Sequence, residues 1–167
     1  MNRWKTIACL GLAGLGLLSG NAGAATVEEL GPEGQWIADC TIDRMTDTRN
    51  CRVLVYRLLG DPSGNARVAA ISVVPVGKDF ELFLTIDKGV VERCALRVDR
   101  QPRIESSVST INVCVFPNFA ADKMGESFRG GTTVLTRYTF KDGSQQDLDF
   151  PLKGFKQAFE DMTRSLK

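Results

Sequence analysis

From Gln35 to Leu152 the chain is written in short stretches of alternating apolar and polar residues, each closed by glycine, proline, asparagine or aspartate. Alternation with a period of two is the mark of a strand with one buried face, so this pattern constrains the fold more than any other feature. The cleanest run is Asp79 to Asp87, with Phe80, Leu82, Leu84 and Ile86 on one face and Phe83 as the lone large apolar residue on the other. Gln35–Thr41, Asn50–Leu59, Arg67–Val74 (ending at Pro75), Cys94–Asp99, Ile104–Phe116 (broken near Ser106 to Thr110) and Thr132–Phe140 read as further strands. The second is apolar on both faces through Val53, Leu54, Val55 and Tyr56, which predicts a central strand. Gly60 to Asn65 is a dense turn signal, and Lys141-Asp142-Gly143-Ser144 carries an Asp-Gly pair suited to a type I′ hairpin.

The end of the chain changes period. Leu148, Phe150 and Leu152 alternate, whereas Phe155, Ala158, Phe159, Met162 and Leu166 recur at helical spacing, with Gly154 at the corner. This predicts a terminal helix folded back on the sheet as a lid. Ala120–Phe128, stopping at Gly130-Gly131, is at most two further helical turns. Short strands with turns every 8 to 12 residues and one good helix predict an all-β fold, an immunoglobulin-like antiparallel β-sandwich with a short C-terminal α-helix packed on it. A small barrel is the alternative.

The first residues carry a different message. Met1 to Lys5 is short and basic, Thr6 to Leu18 is apolar, and Ala22-Gly23-Ala24 offers small residues for cleavage, so residues 1–24 read as a secretory signal peptide. A flexible leader over 25–34 and a single domain over 35–167 follow. The mature chain, about 140 residues, suffices for one domain with its own core. Removing Cys9 with the signal leaves Cys40, Cys51, Cys94 and Cys114. An even number in an exported chain reads as two disulfides, and sequence order favours Cys40 with Cys51 and Cys94 with Cys114 among three pairings. Each bridge is worth roughly 3 kcal/mol in the chain-entropy account. A metal site is the weaker reading, since the chain has no CxxC and no histidine.

Loss of Arg3 and Lys5 leaves 19 basic against 20 acidic residues, a net charge of −1, which does not suggest a nucleic-acid binder. The absence of histidine rules out Ser-His-Asp and Cys-His chemistry. Gly125-Glu126-Ser127-Phe128-Arg129 lacks the final glycine and the context of a nucleophile elbow. Asp147 and Asp149 share a strand face at roughly 7 Å, a spacing open to glycoside hydrolysis but also that of any solvated strand. Arg93, Arg97, Arg100 and Arg103 surround one turn and suit an anionic partner, although Glu92, Asp99 and Glu105 are interleaved as on an ordinary mixed surface. Phe116 and Phe119 are either an exposed anchor or core packing beside a cystine. An edge strand is a further place for a partner.

The signal peptide, Trp36 ahead of Asp39-Cys40, Cys51, the Val74-Pro75-Val76-Gly77 step, and above all Leu152-Lys153-Gly154-Phe155 followed by Ala158 resemble the invasion-associated locus B family over nearly all of the mature chain. The resemblance implies a bacterial periplasmic or outer-membrane-associated domain with an immunoglobulin-like sandwich, and in the namesake members a part in host-cell invasion. It carries over no catalytic residue. One departure is local: the family places its second cysteine pair close together, whereas here Val108 to Val113 precede Cys114 and Cys94 supplies the partner. The expectation is an exported, non-catalytic interaction protein without a cofactor. Its partner would be an envelope or host protein, with peripheral outer-membrane association and no nucleic acid. A carboxylate-dependent polysaccharide hydrolase and a carrier of an apolar ligand beneath the terminal helix are the alternatives.

Overall fold

The computed structural model describes residues 31–60, 67–106 and 108–167. The expected signal peptide with Cys9, the expected leader up to residue 30 and the turn expected over 61–65 lie outside the described residues. Ten strands and two helices follow in order: β1 (Ile37–Asp43), β2 (Thr48–Leu59), β3 (Arg67–Val76), β4 (Asp79–Ile86), β5 (Val91–Val98), β6 (Ile104–Glu105), β7 (Val108–Thr110), β8 (Val113–Phe116), α1 (Lys123–Gly130), β9 (Thr133–Phe140), β10 (Gln145–Pro151) and α2 (Phe155–Ser165). They form an all-β antiparallel sandwich. A six-stranded sheet runs β1-β2-β3-β4-β8-β7, and a four-stranded sheet runs β10-β9-β5-β6.

The core lies between the sheets and is supplied by the inward-facing positions: Val53 and Val55 of β2, Ile71 and Val73 of β3, Leu82 and Leu84 of β4, Leu96 and Val98 of β5, Val134 and Tyr138 of β9. Phe83 is half-buried on the outer face, as its parity requires. Tyr138 crosses the core to donate its hydroxyl to the Thr85 carbonyl at 3.2 Å, tying one sheet to the other. β2 is indeed interior to its sheet. Its outward-facing Tyr56 is buried because residues 31–34, expected in the leader, belong to the fold. Tyr56 donates to the Gly31 carbonyl at 2.7 Å, Gly34 N–H donates to the Tyr56 carbonyl, and Glu33 pairs with Arg57 at 3.1 Å.

Both disulfides pair as sequence order favoured. Cys40–Cys51 joins directly opposed residues of the β1–β2 hairpin. Cys94–Cys114 joins β5 of one sheet to β8 of the other, with Cα atoms 6.0 Å apart. Between these two cysteines the chain changes sheet: β6 pairs with β5, and after Ser106 the chain continues as β7 against β8 in the other layer. The expected break in the Ile104–Phe116 stretch is this crossing, followed by a tight turn at Ile111.

Other boundaries move for local reasons. β3 continues through Pro75, because β2 pairs with β3 only as far as Val73. Beyond that point Pro75 has a partner on one side only, where its missing N–H costs no ladder bond. The β9–β10 turn is not type I′. Gly143 alone has positive φ (81°), its N–H donates to Phe140 C=O, and Phe140 N–H donates to Ser144 C=O, the pattern of a type I turn followed by a glycine bulge. Leu166 lies beyond the last residue of α2 and is exposed rather than part of the buried stripe.

Gly154 acts as expected. At φ 91° and ψ −14° it holds the third position of a type II turn, with Phe155 N–H donating to Leu152 C=O at 3.0 Å. The turn aims Phe155, Ala158, Phe159 and Met162 into the core, while Lys153 remains exposed. Phe155 meets Trp36, Phe128, Phe119 and Phe159 with ring centroids 4.8 to 5.9 Å apart. Trp36 in turn donates its indole N–H to Pro151 C=O at 2.7 Å. Aromatic side chains thus fill the space beneath α2 that an apolar cargo would have to occupy.

Gly131 follows α1 where the chain squeezes between β5 and the end of β10. A Cβ there would collide with Val98 Cγ1 and come within 2.7 Å of Ser127 O. Gly131→Ala should therefore destabilise the domain by about 1 to 3 kcal/mol through overpacking, read as a lowered denaturant midpoint with an unchanged slope. Replacing Cys94 and Cys114 together by alanine should cost about 2 to 5 kcal/mol. That loss should exceed the loss from replacing Cys40 and Cys51, because the second bridge holds two separate layers and closes the longer loop, 20 residues against 11.

Candidate functional site

The outer face of the four-stranded sheet gathers the basic residues. A bulge in β5 between Val91 and Arg93 shifts the phase of the strand, so that Val91, Cys94, Leu96 and Val98 all enter the core. Arg93, Ala95 and Arg97 consequently point outward together. β9 presents Leu135, Arg137 and Thr139 on the same face, in register with Arg97, Ala95 and Arg93 respectively. β10 continues the rows with Asp149, Asp147 and Gln145. The turn after β5, held by Asp99 at φ 49° accepting from the N–H groups of Thr132 and Thr133 at 3.1 and 3.0 Å, brings Gln101, Pro102 and Arg103 up as a wall.

The result is an open groove of about 430 Å³ whose floor is Ala95 and Leu135 and whose rim carries Arg97, Arg103 and Arg137. A smaller depression of about 70 Å³, bordered by Arg93, continues it across Ala95, Arg103 and Arg137. Of the four expected arginines the fold thus collects Arg93, Arg97 and Arg103, while Arg100 lines neither depression. Arg137 joins them. Sequence reasoning missed it, because its neighbours come from a cross-strand register that depends on the β5 bulge; its place two residues from Leu135, on the same face of an alternating strand, was the available signal.

These guanidinium groups are not equivalent. Arg137 makes a two-pronged pair with Asp147, at 2.7 and 2.6 Å, and Arg103 pairs with Glu105 at 2.9 Å. Arg93, Arg97 and Arg100 form no hydrogen bond or ion pair among the described residues. Arg97 therefore stands exposed at the groove with no side-chain partner among the described residues. A planar guanidinium in that state is suited to an incoming carboxylate or phosphate.

The paired carboxylates behave as a solvated strand face. Asp147 and Asp149 are both exposed, and the hydrogen bond from Arg137 holds the Asp147 carboxyl below the usual carboxylate range. Hydrolysis would need one carboxyl raised towards neutrality, which this pairing opposes. Phe116 and Phe119 are buried and belong to the core, so neither is an exposed anchor. Phe119 packs against Phe128 and Phe155. Ser127 lies within α1, its hydroxyl within reach of Lys123 C=O and Gln101 Oε1, and is part of no elbow.

The edge of the same sheet at β10 is closed. Its outward carbonyls at Asp147, Asp149 and Pro151 accept from Gln146, Arg57 and Trp36, at 3.3, 2.8 and 2.7 Å. A partner strand cannot add there without displacing these side chains.

No protein-family model, curated protein or solved structure matches the chain. The two cystines point to an oxidising, extracytoplasmic environment. Among the described residues no helix is long and apolar enough to cross a membrane.

Because Asp147 titrates lower in the folded chain than when unfolded, its pairing contributes stability that is complete above the ordinary carboxylate value. The contribution is lost as pH falls through the folded value. The pair is solvent-exposed, so Asp147→Asn should cost less than about 1 kcal/mol at neutral pH. A carboxyl NMR titration should place the Asp147 midpoint below the usual carboxylate range, and Arg137→Gln should move it back up towards that range.

Proposed function

We propose that this chain is an exported, non-catalytic interaction protein of the bacterial envelope, allied to the invasion-associated locus B proteins, and that it meets its partner through the outer face of the four-stranded sheet. The carrying observation is the groove between β5 and β9, where Arg97 stands unpaired beside an apolar floor of Ala95 and Leu135. An uncommitted guanidinium beside a hydrophobic notch would give a recognition surface both orientation and desolvated area.

Several features support the wider reading. Residues 1–24 have the make-up of a cleaved signal, which directs the chain out of the cytoplasm. The cystines suit a periplasmic or secreted location, with peripheral association at the outer membrane. Leu152-Lys153-Gly154-Phe155 entering the terminal helix carries the family likeness, and with it a part in host-cell invasion. Asp147, held ionised by Arg137, and the absence of histidine both favour contact over catalysis.

The test is a photo-crosslinking amino acid placed singly in intact producing cells. At Asp149, beside Leu135 on the proposed face, it should trap an envelope component; at Lys78, in the turn between β3 and β4, it should not. Trapping at Lys78 alone, or at neither position, would overturn the assignment of the face.

A further inference from the structure

We infer that the groove recognises an extended acidic peptide segment of a partner protein, of the form acidic–x–apolar–x–acidic, a deepening that rests on the face proposed above. On the outer face of β5 a basic, a small and a basic residue succeed one another as Arg93, Ala95 and Arg97. Alternate residues of a strand lie roughly 6.8 Å apart on one face, and an extended peptide repeats its own side chains at the same interval. A segment lying over β5 therefore sets two carboxylates over Arg97 and Arg93, with the apolar side chain between them above Ala95.

The surroundings fit that occupant. Ala95 is the smallest side chain on this face, and its lack of bulk makes the notch that an apolar group would fill. Leu135 and Pro102 flank the notch, so the inserted group is walled by carbon on two sides. Arg93 and Arg97 are the guanidinium groups here without an acidic partner among the described residues. The committed ones, Arg103 and Arg137, are held by Glu105 and Asp147 at the sides, and those carboxylates repel an acidic chain laid in any other direction across the sheet. A flat anionic bilayer would meet Arg97 but could not send a side chain into the notch between two arginines, so charge and shape together favour a peptide.

The probe is acetyl-Glu-Ser-Leu-Ser-Glu-amide, titrated into the folded disulfide-bonded protein and followed by amide NMR shifts. It should move the Ala95, Arg97 and Leu135 resonances and bind more tightly than the same peptide with lysines for glutamates or glycine for leucine. Arg97→Gln should weaken binding about tenfold, the loss of a charge-assisted hydrogen-bonded contact. Ala95→Phe should abolish it by filling the notch, and Arg100→Gln should leave it unchanged. Melting curves of each variant establish that the fold is intact. Equal binding of the lysine or glycine peptide, or an Arg97→Gln protein that binds like the parent, overturns the inference. Arg97-dependent binding to phosphatidylglycerol vesicles without peptide binding also overturns it, yet leaves the proposed face standing, because crosslinking from position 149 reads the face independently of what occupies it.

Discussion

Phe155 is the contact on which the rest of this structure leans. Its ring meets residues contributed by four parts of the chain: Trp36 at the entry to β1, Phe119 in the loop after β8, Phe128 of α1, and Phe159 one turn further along α2. Burying one phenylalanine is worth about 1.5 to 3 kcal/mol, and edge-on aromatic pairs add about 0.5 to 1.5 kcal/mol each beyond area. Without this cluster the terminal helix would have little reason to lie on the sandwich, and the first and last elements of the domain would part. The type II turn at Gly154 makes the contact possible by turning the chain within four residues from strand to helix. Trp36 then does a second service, satisfying the Pro151 carbonyl at the edge of the other sheet.

What could be read from the sequence follows from how local each feature is. The alternation of Asp79 to Asp87 and the change of period at Gly154 report on neighbours within a few residues, and the even cysteines are paired in sequence order; each became the expected strand, corner and bridges. Features that depend on distant chain were not legible. The crossing between β6 and β7 needs knowledge of which sheet each strand joins, and the sequence around Ser106 marks only an interruption. Phe116 and Phe119 could not be placed inside or outside from their own neighbourhood, because Phe119 is buried by Phe128, Phe155 and Phe159 from later in the chain and Phe116 enters the core from β8. The β5 bulge is the most consequential case. A strict alternation from Val91 would have put Arg93 and Val91 on the same face, and the extra residue separates them, sending Val91 inward and three successive alternate positions outward.

The same reasoning explains why the arginine cluster was half visible. Arg93, Arg97, Arg100 and Arg103 are near one another in sequence, and proximity alone suggested a site. Strand parity keeps Arg93 and Arg97 on one face, the return of the chain through Pro102 brings Arg103 beside them, and the left-handed Asp99 turn directs Arg100 away. Arg137 arrives from a strand some 40 residues on, as the cross-strand neighbour of Ala95. Its bidentate hold on Asp147 turns a suspected catalytic carboxylate into a fixed boundary of the groove.

The two edges of the four-stranded sheet differ in how each is kept from pairing with another strand. At β10 three successive outward carbonyls are occupied by side chains, one of them an arginine that also pairs with Glu33 and one the tryptophan of the aromatic cluster. Closing an edge in this way prevents indiscriminate strand pairing, a general hazard of open β-sheets. At β6 the edge is only two residues long, too short to template a partner strand, and the chain leaves it at once for the other sheet. With backbone pairing discouraged on both sides of this sheet, the recognition we propose would fall to side chains on the face between. There Arg93 and Arg97, without a side-chain partner among the described residues, stand beside a small apolar notch, an arrangement suited to reading charge and shape rather than backbone.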